Sequence, residues 1–60
     1  MIFSEEVILK RLKNHWTIFV YEDSGRVVIR RWKLGGDEME DVDASVYERM
    51  IRKGLVKRVD

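Results

Sequence analysis

Apolar residues fall at helical spacing twice along this chain and at strand spacing in between. Val7, Ile8, Leu9 and Leu12 form the first stripe, which predicts a helix over residues 5–14. Ser4 suits its N-cap, and Glu5 and Glu6 set negative charge at the positive end of the helix dipole. Phe3 is placed to pack on Ile8 as a hydrophobic staple, and Glu6 can pair with Lys10 one turn on. Lys10, Arg11 and Lys13 suit the C-terminal turn.

Residues 16–34 read as a hairpin around Asp23-Ser24-Gly25. The spacing predicts a three-residue loop, a type I turn followed by Gly25 in the left-handed conformation as a bulge. That loop opposes Glu22 with Arg26, Val20 with Val28, Phe19 with Ile29 and Trp16 with Trp32. One face then carries Trp16, Ile18, Val20, Val28, Trp32 and Leu34, with Arg30 its only cation, and is expected to meet the core. The other carries Phe19, Tyr21, Val27 and Ile29, with Thr17, Arg31 and Lys33.

Gly35 and Gly36 end the second strand, and the acidic residues 37–41 are expected as a loop with room for one helical turn. The second helical stripe is Val46, Tyr47, Met50 and Ile51. Asp43 is its N-cap, Val42 can staple to Tyr47, and Gly54 with Leu55 completes a Schellman motif. Ser45, Glu48, Arg49, Arg52 and Lys53 should face water. Residues 55–59 read as a short closing strand. The expected fold is thus one small α+β domain over residues 1–60, in the order α-β-β-α-β, with a three-stranded antiparallel sheet.

Composition narrows the chemistry. A chain of 60 residues buries only about 60% of its unfolded surface. It contains no cysteine and a single histidine, His15, which excludes a disulfide staple and a Cys/His zinc site. Twelve basic residues balance eleven acidic ones, so no global field draws the chain toward nucleic acid or membrane. No secretory or membrane-spanning run is visible, and a cytoplasmic location is expected. Gln, Cys and Pro are absent while Glu, Arg and Lys abound, which resembles the thermophile trend.

Gly35-Gly36-Asp37-Glu38 resembles the first four residues of the GGDEF signature of diguanylate cyclases. The fifth residue is Met39 instead of Phe, and the larger α/β domain of those enzymes has no room here, so the match reads as coincidence. Both glycines precede the acids, which is the wrong order for an EF-hand loop. No spacing links His15 to Ser4, Ser24 or Ser45 as a nucleophile. Hence no catalytic residue, metal ligand, cofactor or small-molecule substrate is assigned.

Two surfaces stand out. Arg49, Arg52, Lys53, Lys57 and Arg58, supported by Arg30, Arg31 and Lys33, form a basic set suited to tracking phosphates. Phe19, Tyr21, Val27 and Ile29 form an apolar patch that one of the chain's own helices, a partner protein, a second copy or stacked bases would cover.

Residues 45–60, Ser-Val-Tyr-Glu-Arg-Met-Ile-Arg-Lys-Gly-Leu-Val-Lys-Arg-Val-Asp, resemble the end of a winged-helix DNA-binding domain. The resemblance implies that Ser45, Arg49 and Arg52 lie on the DNA-reading side. In this chain the hairpin comes first, and residues 35–42 stand where that family has a preceding helix. The leading expectation is a small non-enzymatic regulatory module that binds nucleic acid through its basic side. The alternative is a protein-interaction or inhibitor module, homodimeric or partner-binding, that uses the hairpin's second apolar face.

Overall fold

The computed structural model describes residues 1–57. Its elements are α1 (Glu5–Lys13), β1 (Thr17–Val20), β2 (Val27–Arg31), β3 (Glu38–Val42) and α2 (Ala44–Arg52). The strands form one antiparallel sheet in the order β1-β2-β3. A small α+β domain with a three-stranded antiparallel sheet is therefore present, but the third strand comes from the acidic stretch. Leu55, Val56 and Lys57 follow α2 without joining the sheet, and Arg58 and Val59 of the expected closing strand lie outside the described residues.

Local signals set both helices. The Ser4 hydroxyl accepts from the Val7 N–H at 3.4 Å, and the Asp43 carboxylate accepts from the Val46 N–H at 3.3 Å. At the end of α2 the Gly54 N–H donates to the Ile51 carbonyl and the Leu55 N–H to the Met50 carbonyl, both at 3.0 Å, with Gly54 at φ 74°. This is the full Schellman pattern. Helix α1 shares only the longer-range of these bonds, from the Trp16 N–H to the Arg11 carbonyl at 3.1 Å, and here His15 takes the left-handed position at φ 68°. Phe3 does not form the expected staple and is 66% exposed, while Ile2 is buried.

The hairpin loop is one residue longer than expected. Tyr21 donates to the Arg26 carbonyl at 2.9 Å and accepts from the Gly25 N–H at 2.7 Å, so residues 22–25 form the loop. Gly25 is left-handed, at φ 72°, as its position requires. The longer loop pairs Phe19 with Val28, Ile18 with Ile29 and Val20 with Val27. A one-residue slip turns all of β2 over relative to β1. Val27 and Ile29 therefore join Ile18 and Val20 on one face. The expected register would have left Arg30 on that face; the observed one carries it to the other.

Both helices lie on the Val27 and Ile29 side. Ile8 of α1 and Val46, Tyr47 and Met50 of α2 pack with Ile2, Val27, Ile29 and Val42 into one core. Leu9, Leu12, Trp16, Ile18, Val20, Ile51 and Val56 border it. Trp32 and Leu34, expected in the core, are 76% and 86% exposed beyond the end of β2.

Strand β3 is held by charge where its own strand propensity is poor. Its acids meet the basic residues of β2. Arg26 binds Asp41 at 2.7 Å, Arg31 binds Glu38 at 2.9 Å, Lys33 binds Glu38 at 3.0 Å, and Arg30 reaches Asp37 at 3.3 Å. Arg11 of α1 crosses the sheet to Glu40. The turn before β3 uses Gly35 at φ 94°, and the Gly36 N–H closes on the Lys33 carbonyl at 3.1 Å. Ile2 then adds a parallel bridge outside β3, donating to the Asp41 carbonyl and accepting from the Asp43 N–H, both at 2.9 Å.

Candidate functional site

Two helices on one face leave the opposite face of the sheet uncovered. Thr17, Phe19, Val28, Arg30, Met39 and Asp41 share it by register. Val28 is only 1% exposed, although no helix lies over it. Its cover comes from side chains of the same face. Phe19 and Asp41 flank it across the strands, and the Arg30 guanidinium lies 5.0 Å over the Phe19 ring while also reaching Asp37. Around this buried valine, Phe19 is 42%, Tyr21 43% and Met39 52% exposed. The result is an apolar surface framed by ion pairs.

This placement corrects half of the apolar patch expected from sequence. Phe19 and Tyr21 are on the surface, whereas Val27 and Ile29 lie beneath the helices, 3% and 0% exposed. The cause is the longer loop, which exchanges the two faces of β2 but not those of β1. Met39 joins Phe19 and Tyr21, from a stretch that on sequence alone reads as a loop. Its alternation with Glu38 and Glu40 is the period-two signal that marks it as a strand residue.

The outer edge of β1, which no strand among the described residues pairs, adjoins this face. Tyr21 bonds to β2, so by antiparallel alternation Phe19 and Thr17 do too, while the N–H and C=O groups of Ile18 and Val20 point away from the sheet. Alongside that edge, toward the helices, runs a cleft of about 1010 Å³, whose lining includes Leu12, Trp16, Ile18, Val20 and Val56 and the charged Glu22 and Lys57. Residues 16–21, Trp-Thr-Ile-Phe-Val-Tyr, carry no charge, proline or glycine. Edge strands in soluble domains ordinarily carry such protection.

The basic residues are dispersed and largely engaged. Arg49 and Lys53 both bind Glu5, at 2.9 and 3.1 Å, joining the end of α2 to the start of α1. The hydrogen bond from Lys53, assisted by Arg49, holds the Glu5 carboxyl below the usual carboxylate range. Lys33, with Arg31, does the same for Glu38. Arg30 lies on the uncovered face, while Arg49 and Lys53 lie on a helix packed against the other face. Arg52 and Lys57 are exposed and enter no ion pair among the described residues; Arg58 lies outside them.

Trp16 is stacked between two cations at the far end of the helix side. The guanidinium of Arg11 lies 4.9 Å from its ring centre and that of Arg31 5.0 Å. Both arginines also bind acids of β3, Glu40 and Glu38, so this cluster is a structural clasp from α1 across the sheet. Ser4 caps α1, Ser24 accepts from the Arg26 N–H in the hairpin loop, and Ser45 is exposed at the start of α2. His15 closes α1, and these groups sit on separate elements. Among the described residues, no three His, Asp or Glu side chains are grouped to hold a metal ion, and no helix is long and apolar enough to cross a membrane. Compared with known protein families, with curated proteins and with solved structures, the chain matches none.

Proposed function

We propose that this chain is a small non-enzymatic interaction module that binds another protein surface through the uncovered face of its sheet and the edge of β1. One observation carries the reading: α1 and α2 pack on the same face, leaving Phe19, Tyr21 and Met39 exposed around Val28. Exposed apolar side chains grouped on one sheet face among ion pairs are a common mark of a protein contact. Nucleic-acid binding has less support. Arg30, Arg31, Lys33, Arg49 and Lys53 would have to leave acids of their own chain to reach phosphates, and they do not share one side of the molecule.

A photo-crosslinking phenylalanine analogue at position 19 tests this in cells that make the protein. A control analogue at position 48 sits on the exposed side of α2. Protein adducts at position 19 and not at position 48 are expected. Adducts to nucleic acid, or equal labelling at both positions, would overturn the proposal.

A further inference from the structure

We infer that the occupant of the β1 edge is a second copy of this chain, paired antiparallel through residues 17–21 about a two-fold axis at Phe19. This rests on the reading of that surface as a protein-binding site. Three observations lead to it.

The first is the asymmetry of the sheet's two edges. The β3 edge carries Glu38, Glu40 and Asp41 and is bridged by Ile2, whereas β1 is neutral and, among the described residues, unbridged. Charge and cover are two of the devices that keep strand edges from pairing, and among the described residues the β3 edge has both, while β1 has only its shortness, four residues.

The second is register. Ile18 and Val20 present their N–H and C=O groups outward. With the axis at Phe19, Ile18 of one copy stands opposite Val20 of the other, and each exchanges both of its main-chain hydrogen bonds. Phe19 meets Phe19 in the intervening position, where antiparallel side chains approach most closely. An axis perpendicular to the sheet keeps the helices of both copies on one side, so two three-stranded sheets become one continuous sheet. The cleft beside Ile18 and Val20 then faces its own symmetry mate.

The third is charge. The segment before β1 is basic, with Lys13 and His15 exposed, and the loop after it is acidic, with Glu22 and Asp23 exposed. Antiparallel pairing brings the loop after β1 of each copy, with Glu22 and Asp23, toward the segment before β1 of the other, with Lys13. Parallel pairing would oppose like charges.

Sedimentation equilibrium on the purified chain, together with two kinds of variant, tests the inference. The apparent mass should double as concentration is raised. Val20→Pro removes an N–H that faces the free edge and not β2, so it should abolish the dimer while leaving the monomer's circular dichroism unchanged. Because the chain has no cysteine of its own, Phe19→Cys should give a rapid intermolecular disulfide under mild oxidation. Met39→Cys, on the same face but on the far strand, should not.

A monomer at every concentration, or cross-linking at position 39 as fast as at position 19, would overturn the inference. So would a dimer that survives in folded Val20→Pro. If Val20→Pro fails to fold, the pair of cysteine variants decides. Protein adducts to the photo-crosslinker at position 19 in a chain that stays monomeric would sink self-pairing while leaving the interaction-module reading intact. Loss of both results would sink both.

Discussion

Glu5 accepts a hydrogen bond of 2.9 Å from the Nε of Arg49, and this contact ties the first turn of α1 to the last turn of α2. The same carboxylate takes Lys53, so one acid gathers two cations from the far end of the chain.

That arrangement predicts acid sensitivity. The Glu5 and Glu38 carboxyls are held below the ordinary carboxylate range by Lys53 and Lys33 first, with Arg49 and Arg31 adding to each. A carboxyl lowered in the folded state binds fewer protons there than when unfolded. Its stabilisation is therefore complete above the ordinary carboxylate range and is lost as pH falls through the lower, folded value. Denaturant midpoints measured downward from neutral pH should fall in that window, and Glu5→Gln should flatten the fall. Glu5→Gln with an unchanged acid profile would refute the assignment. Added salt should weaken the effect, since both pairs are reached by solvent.

The hairpin register predicts where truncation hurts. Ile29 is fully buried under both helices, so Ile29→Ala should cost about 3 kcal/mol. Trp32 is 76% exposed, and Trp32→Ser should change stability by less than about 0.5 kcal/mol despite the larger side chain removed. Chemical denaturation of the two variants checks this. Similar costs for both would mean the strand is paired in the other register.

His15 occupies a left-handed backbone position that favours glycine. His15→Gly should stabilise the chain by up to about 1 kcal/mol, because relief of the side-chain clash exceeds the added flexibility of the unfolded state. A lower melting temperature in His15→Gly would show that the imidazole makes a contact worth more than the strain.

Arg11 couples α1 to the sheet by two routes, stacking on Trp16 and binding Glu40. Arg11→Lys keeps the charge and loses the flat, delocalised cation, so it should cost about 0.5–1 kcal/mol. In a Trp32→Phe background the emission of Trp16 should change as well. An Arg11→Lys variant with unaltered Trp16 fluorescence and stability would remove the stacking from the account.

Helix α2 was legible almost residue by residue. Its stop signal is local, Gly54 and Leu55 acting on Ile51 and Met50, and its start is Asp43 acting on Val46. The left-handed Gly25 was legible for the same reason, but the register was not. Loops of three and of four residues both place such a glycine last, and the choice falls to which side of β2 the helices must cover. That decision is made by Ile8, Tyr47 and Met50, far away in sequence. Strand β3 was hidden because acids are poor strand formers when taken alone. Only next to Arg26, Arg30, Arg31 and Lys33 do they become good partners. The candidate surface inherited both errors: Phe19 and Tyr21 were identified, Val27 and Ile29 were placed on the wrong side, and Met39 was overlooked.

The bridge from Ile2 to Val42 bears on how far growth of the sheet can proceed. A three-stranded sheet with two receptive edges could add copies without end and become a fibre. With Ile2 occupying the Asp41 carbonyl and the Asp43 N–H, and acids along the rest of that edge, growth on the β3 side is opposed, and pairing at β1 is expected to stop after a single step. Substituting Ile2 with a residue that cannot hold that seat would turn a self-limiting assembly into an open-ended one.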